Sequence, residues 1–163
     1  MFAKAFALAT LSLATLANSV PLSRRGVTVD PAKWYTLSWD GMQYLDSTNS
    51  VLMIQQHNSF DDLDKGSDKG VRFRFPDGLP GKIVCEAHND HFVGLAEGSS
   101  PALNQWDTFQ NEDRAGTAEA GDKGIIISFK GSAYVGRTNI DGFPVSQGEA
   151  QEWDVREISM VPL

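Results

Sequence analysis

Three stretches of this chain can be laid over one another residue for residue, and this constrains the fold more than any other feature. They are "YTLSWDGMQYLD" (35–46), "IVCEAHNDHFVG" (83–94) and "IIISFKGSAYVG" (125–136). Near the centre of each stands Gly41, Asn89 or Gly131, residue types that tolerate the positive φ demanded by tight hairpin turns. Before that turn, apolar residues recur at every second position: Tyr35, Leu37 and Trp39; Ile83, Cys85 and Ala87; Ile125, Ile127 and Phe129. A period of two marks the inward face of a strand. After the turn comes an aromatic (Tyr44, Phe92, Tyr134), then Leu45, Val93 or Val135, then Asp46, Gly94 or Gly136. The aromatic column repeats after 48 and then 42 residues, a period that calls for a repeat architecture.

Each hairpin should be followed by two further strands. In the first unit these are "SVLMIQQ" and "GVRFRF", and in the third "FPVSQG" and "QEWDVREI". The second unit carries them in compressed form in "PALNQWDTF". A long acidic loop, "HNSFDDLDKGSDKG", interrupts the first unit, and "NEDRAGTAEAGDKG" links the second to the third. No helical periodicity is visible after Gly26. The expectation is one all-β domain over residues 26–163, built from three units of about four strands. So many strands need closure or mutual capping to remove their exposed edges.

The first residues read differently. "MFAKAFALATLSLATLANSV" has an early Lys4, an apolar run and small residues near its end, the pattern of a secretory signal peptide over 1–19. Residues 20–25 then form a short propeptide ending in Arg24-Arg25. Leader and dibasic site resemble those of fungal secreted proteins, with Gly26 as the mature start. Removing Lys4, Arg24 and Arg25 from the 14 basic residues leaves 11 against 21 acidic ones, a net charge of −10. With no basic cluster, neither nucleic acid nor an anionic membrane is an expected partner. The single Cys85 cannot form an internal disulfide, and its column partners Leu37 and Ile127 mark it as a small buried hydrophobe.

The threefold hairpin pattern resembles the β-trefoil. A second motif adds to the resemblance: ricin-B-like trefoil lectins carry Gln-x-Trp near the fourth strand of each unit. Here Gln151 and Trp153 match it, Asn104 and Trp106 match it with Asn for Gln, and Val71 and Phe73 in the first unit depart from it. In that family the Trp packs in the core. The hairpins are equally similar to those of fascin-like trefoils and of fungal trefoil protease inhibitors, so fold alone does not assign function.

No enzyme signature is present. There is no Gly-x-Ser-x-Gly, no phosphate-binding Gly loop and no His-Glu-x-x-His. His88 and His91 flank a turn without a firm third ligand, and "DDLDKGSDKG" fails the order of a calcium loop: counted from Asp62, position five is Gly66 and position twelve is Phe73. No metal ion or other cofactor is expected. The resemblance to ricin-B-like units implies a sugar-binding Asp on the second strand and an aromatic on the third. Asp46 falls on the first position, and His57 falls near the second with Asn58 beside it. Gly94 and Gly136 replace the Asp elsewhere, so only the first unit is expected to bind in this way. The function expected is that of a secreted, monomeric, non-catalytic carbohydrate-binding protein. The alternatives are a protease inhibitor acting through loop 57–70 or 110–123, and a small effector-type protein that binds a secreted or host protein.

Overall fold

Alternation of apolar and polar residues builds the strands, and positive-φ residues turn them. The structure, a computed structural model, describes residues 26–57, 59–65, 68–97, 105–136, 145 and 147–159. The expected signal peptide and propeptide, together with Asn58 and Asn104, lie outside the described residues. The strands are β1 (Tyr35–Ser38), β2 (Gln43–Asn49), β3 (Val51–Gln56), β4 (Phe73–Arg74), β5 (Gly81–Lys82), β6 (Val84–Cys85) and β7 (His91–Ala96). They continue as β8 (Gln105–Phe109), β9 (Thr117–Ala120), β10 (Ile125–Phe129), β11 (Ala133–Val135), β12 (Gln147–Gly148) and β13 (Asp154–Glu157). Among the described residues there is a single α-helix, α1 (Phe60–Lys65), between β3 and β4.

The chain is all-β in class. One sheet has the order β13-β1-β2-β3-β8-β7-β6-β4, and a further pairing of β4 with β1 brings the order back on itself. Strand β1 meets β13 from Tyr35↔Glu157 to Ser38↔Asp154, β2 at Ser38↔Tyr44 and β4 at Tyr35↔Phe73. A second sheet runs β12-β11-β10-β9-β5, and an isolated bridge joins Ile125 to Trp153. Pairing of this kind removes edges that would otherwise template association.

The three aligned stretches share their turn chemistry. Gly41, Asn89 and Gly131 have φ of 77°, 52° and 70°. Tyr35, Leu37, Ile83, Cys85, Ile125, Ile127 and Phe129 are buried, and Trp39 and Ala87 pack partly buried against the same core. Leu45, Val93 and Val135 are buried as well. The aromatics Phe73, Trp106 and Trp153 are all 0% exposed. A side chain that large, removed from water, contributes several kcal/mol through lost apolar area.

Three features depart from expectation. The second hairpin pairs Val84↔Phe92 and Cys85↔His91, whereas the first and third pair Ser38↔Tyr44 and Ser128↔Tyr134. That is a two-residue offset from the aligned position, which keeps every side chain on its own face. A 3-10 turn at Glu86–His88 and a second positive φ at Asp90 (61°) absorb the extra residues. The link "NEDRAGTAEAGDKG" contains β9, which pairs with β10 from Ala120↔Ile125 to Thr117↔Ser128. The acidic loop contains α1, where none was expected. Ser59 Oγ accepts the Asp62 N–H (3.3 Å), Asp61 and Asp62 sit in the favourable first turn, and Leu63 is buried. Six residues are too few to display a helical period.

Candidate functional site

Residues two apart on a strand share a face, so Tyr44 and Asp46 of β2 point the same way. Strand β3 returns beside them, with Gln43↔Gln56 and Asp46↔Met53 in register and a bulge between Asp46 and Asn49. His57 follows β3 directly, its N–H donating to Met42 O at 2.9 Å. Loop 57–71 then folds over this face. Leu63 and Val71 form a small buried cluster with Tyr44. Ser47 N–H donates to Gly70 O at 3.1 Å, which fastens the far end of the loop to β2. Beyond it, Glu86 pairs with Arg72 at 3.2 Å and with Lys69 at 3.5 Å.

Under this cover three side chains converge. Asp46, His57 and Asp68 each bring one ligand-type atom into a group whose members all lie within 4.8 Å of one another. Asp46 is 0% exposed, while His57 and Asp68 are partly exposed. Asp68 is held in place because its Oδ1 accepts the Gly70 N–H at 2.9 Å. The His57 ring stands edge-on to Tyr44, with centroids 5.6 Å apart and planes at 80°. Its Nε2 is buried and takes part in no hydrogen bond. Burial pushes the Tyr44 phenol above its ordinary pKa, and the nearby Arg156 guanidinium opposes that shift. The phenol donates to Gly41 O at 2.9 Å. Arg156 itself stacks on Phe60, its guanidinium carbon 3.6 Å from the ring centroid.

The two described residues of the expected sugar site, Asp46 and His57, are thus brought together, and Asn58 lies outside the described residues. Asp46 is wholly enclosed, and Leu63 and Val71 of the following loop pack against Tyr44, its neighbour on the same face of β2. Asp68 was not singled out. Its only trace in the sequence is the Asp-x-Gly spacing to Gly70, which suits a carboxylate that hydrogen-bonds its own backbone two residues on.

The Asp46 column explains why the other two hairpins carry glycine there. A Cβ on Gly94 would lie 1.9 Å from the Arg114 carbonyl oxygen. In the third hairpin the β12 backbone runs close to Gly136, since a Cβ on Gly148 would come within 2.8 Å of the Gly136 Cα. In the second hairpin neighbouring backbone fills the space that a side chain fills at Asp46.

The other polar candidates are engaged in structure. His88 Nε2 accepts the Ser50 N–H at 3.0 Å and so clamps the β2–β3 turn, where Ser50 has φ of 72°. The His88 and His91 ring centroids lie 5.9 Å apart. The loops considered for protease inhibition carry regular structure in their described parts: 57–70 has α1 with Leu63 buried, and 110–123 has a 3-10 turn at Glu112–Arg114 and β9, where Ala118 is buried and Thr117, Glu119 and Ala120 are exposed.

Behind β2, Ser47 Oγ and Cys85 Sγ share a buried hydrogen bond. Cys85 is 0% exposed, and burial raises its thiol pKa against the lowering effect of the Ser47 bond. The thiolate is the reactive form. Cys85 is therefore expected to resist a thiol reagent in the native protein and to react promptly in denaturant. Rapid native-state labelling, followed by absorbance, would contradict this.

Compared with protein-family models, with curated proteins and with solved structures, the chain matches none.

Proposed function

We propose that this chain is a secreted, non-catalytic, lectin-like β-trefoil protein that binds carbohydrate at the β2–β3 hairpin. The observation that carries this reading is the convergence of Asp46 and His57, far apart on the hairpin, with Asp68. Support for the trefoil comes from the shared positive φ at Gly41, Asn89 and Gly131 and from the enclosed Phe73, Trp106 and Trp153. Because Asp46 is enclosed, the groups that meet the ligand are the partly exposed His57 and Asp68, with Asp46 behind them. Phe60, also partly exposed, supplies an aromatic surface, and Arg156 stacked on it supplies donors for hydroxyl oxygens. The net negative charge favours a neutral or basic ligand over a nucleic acid or an anionic membrane.

A glycan array tests the reading. A carboxylate that accepts paired hydroxyls contributes roughly 1.5–3 kcal/mol per charge-assisted bond. Asp68→Ala is therefore expected to weaken binding of the selected glycan by about tenfold or more. If no glycan is bound, or if Asp68→Ala and His57→Ala bind it as the parent does, the site is wrongly assigned. Inhibition of a protease in a serine and cysteine protease panel, with a blank array, would move the function to the inhibitor class.

A further inference from the structure

The geometry points to a divalent transition-metal site formed by Asp46, His57 and Asp68. The three residues come from separate segments: the bulged end of β2, the residue after β3 and the far side of α1. Two carboxylates and one imidazole nitrogen form a familiar type of donor set, and imidazole selects ions such as Zn2+ over Mg2+ or Ca2+.

The arrangement is more specific than a cluster of surface acids. Asp46 is 0% exposed, so its carboxylate meets His57 and Asp68 inside the protein rather than on an open acidic surface. Asp68 approaches within 4.8 Å, so the two carboxylates would repel one another if both were charged. A dication between them cancels that repulsion and leaves the group neutral overall. His57 adds an independent observation. Its Nε2 is buried and makes no hydrogen bond, so the imidazole is not joined to either carboxylate through that atom.

The geometry also suits a small ion. Bonds of about 2.0–2.1 Å in a four-coordinate site set ligand atoms about 3.4 Å apart. Atoms already within 4.8 Å of one another reach that spacing through modest side-chain rotation. The outer contacts needed to orient such ligands are present. Gly70 N–H holds the Asp68 carboxylate at 2.9 Å, Met42 O fixes the His57 backbone at 2.9 Å, and Tyr44 braces the ring edge-on. Three protein ligands leave a fourth position for water or for a ligand oxygen. The third ligand residue lies in the acidic loop that follows His57, and the other two hairpins carry Gly94 and Gly136 where the first carries Asp46.

The test uses the full, tag-free protein stripped of metal by a chelator. Zn2+ alone is titrated by calorimetry and by competition with a chromophoric chelator, and Co2+ alone is followed by visible absorption. One ion per chain is expected, with cobalt ligand-field bands that disappear on Zn2+ addition. His57→Ala and Asp68→Asn, both at partly exposed positions, are each expected to weaken binding by more than the roughly 10–100-fold typical of losing an outer contact. Circular dichroism checks that each variant is folded. If neither is, the ring resonances of His57 in the parent protein decide, and they must shift on Zn2+ addition. Failure to bind Zn2+, binding of unchanged affinity in both variants, or an unshifted His57 ring overturns the proposal. The titration contains no sugar, so the metal site and the carbohydrate reading stand or fall separately.

Discussion

Trp106→Ala is expected to destabilise the protein by about 3–5 kcal/mol. The indole is 0% exposed, so the substitution removes its whole buried surface and leaves a cavity. It also removes a bond between distant parts of the chain, because Trp106 Nε1 donates to Tyr134 O at 3.2 Å and so joins β8 to β11. The cavity could not collapse easily. Gly116 already lies against the ring, where a Cβ would come within 3.0 Å of Trp106 Cζ3, and Trp106 N–H is tied to Val145 O at 3.0 Å. Against a typical total stability of about 5–15 kcal/mol, such a loss is a large fraction. Urea unfolding followed by far-ultraviolet circular dichroism measures it. Met42→Ala is the control: Met42 is 51% exposed and should change stability by no more than about 0.5 kcal/mol. A loss below about 1 kcal/mol for Trp106→Ala would show that the indole is not part of the supporting core.

Gly94→Ala is expected to be almost as damaging, for the opposite reason. The added methyl would lie 1.9 Å from the Arg114 carbonyl oxygen and 3.2 Å from the Phe109 ring. The obstacle is backbone and has little freedom to retreat. Gly116 N–H donates to Val93 O at 2.8 Å, Ala115 N–H to Glu112 O at 2.9 Å, and Asn111 Oδ1 accepts the Asp113 N–H at 2.9 Å. Overpacking costs typically about 1–3 kcal/mol, and a clash with fixed backbone belongs at the upper end of that range. The same unfolding measurement applies, and a neutral Gly94→Ala would mean that the Glu112–Arg114 turn is free to move away from β7. The result also bears on function. If the position cannot take a methyl, it cannot take an aspartate, and the Asp46 arrangement cannot be transplanted to the second hairpin.

The columns of the three aligned stretches were legible because they rest on local rules. Alternation along a strand puts Leu37, Cys85 and Ile127 on one side whatever packs against them, and a tight turn needs positive φ wherever it occurs. The enclosure of Trp106 and Trp153 was expected from the resemblance of their motifs to the Gln-x-Trp of ricin-B-like trefoils. The offset of the second hairpin was not, because slipping a strand by two residues leaves its alternation unchanged. Strand β9 was hidden by its composition: only Ala118 of "TAEA" is buried, and its partners β5 and β10 come from elsewhere in the chain.

Of the candidate site, the sequence by itself determined that a carboxylate stands two residues after the aromatic of the first hairpin and that a histidine follows the next strand. Hairpin pairing alone does not bring them together, because Asp46 lies opposite Met53 while His57 N–H bonds Met42 O, four residues before Asp46. The addition of Asp68 and the enclosure of Asp46 were decided only by tertiary structure. Both depend on loop 57–71 folding back over the hairpin, through Leu63 and Val71 against Tyr44 and through the Ser47–Gly70 hydrogen bond. The side a polar loop packs against follows from a few apolar anchors and backbone bonds spread over more than 20 residues, so local pattern leaves it undetermined.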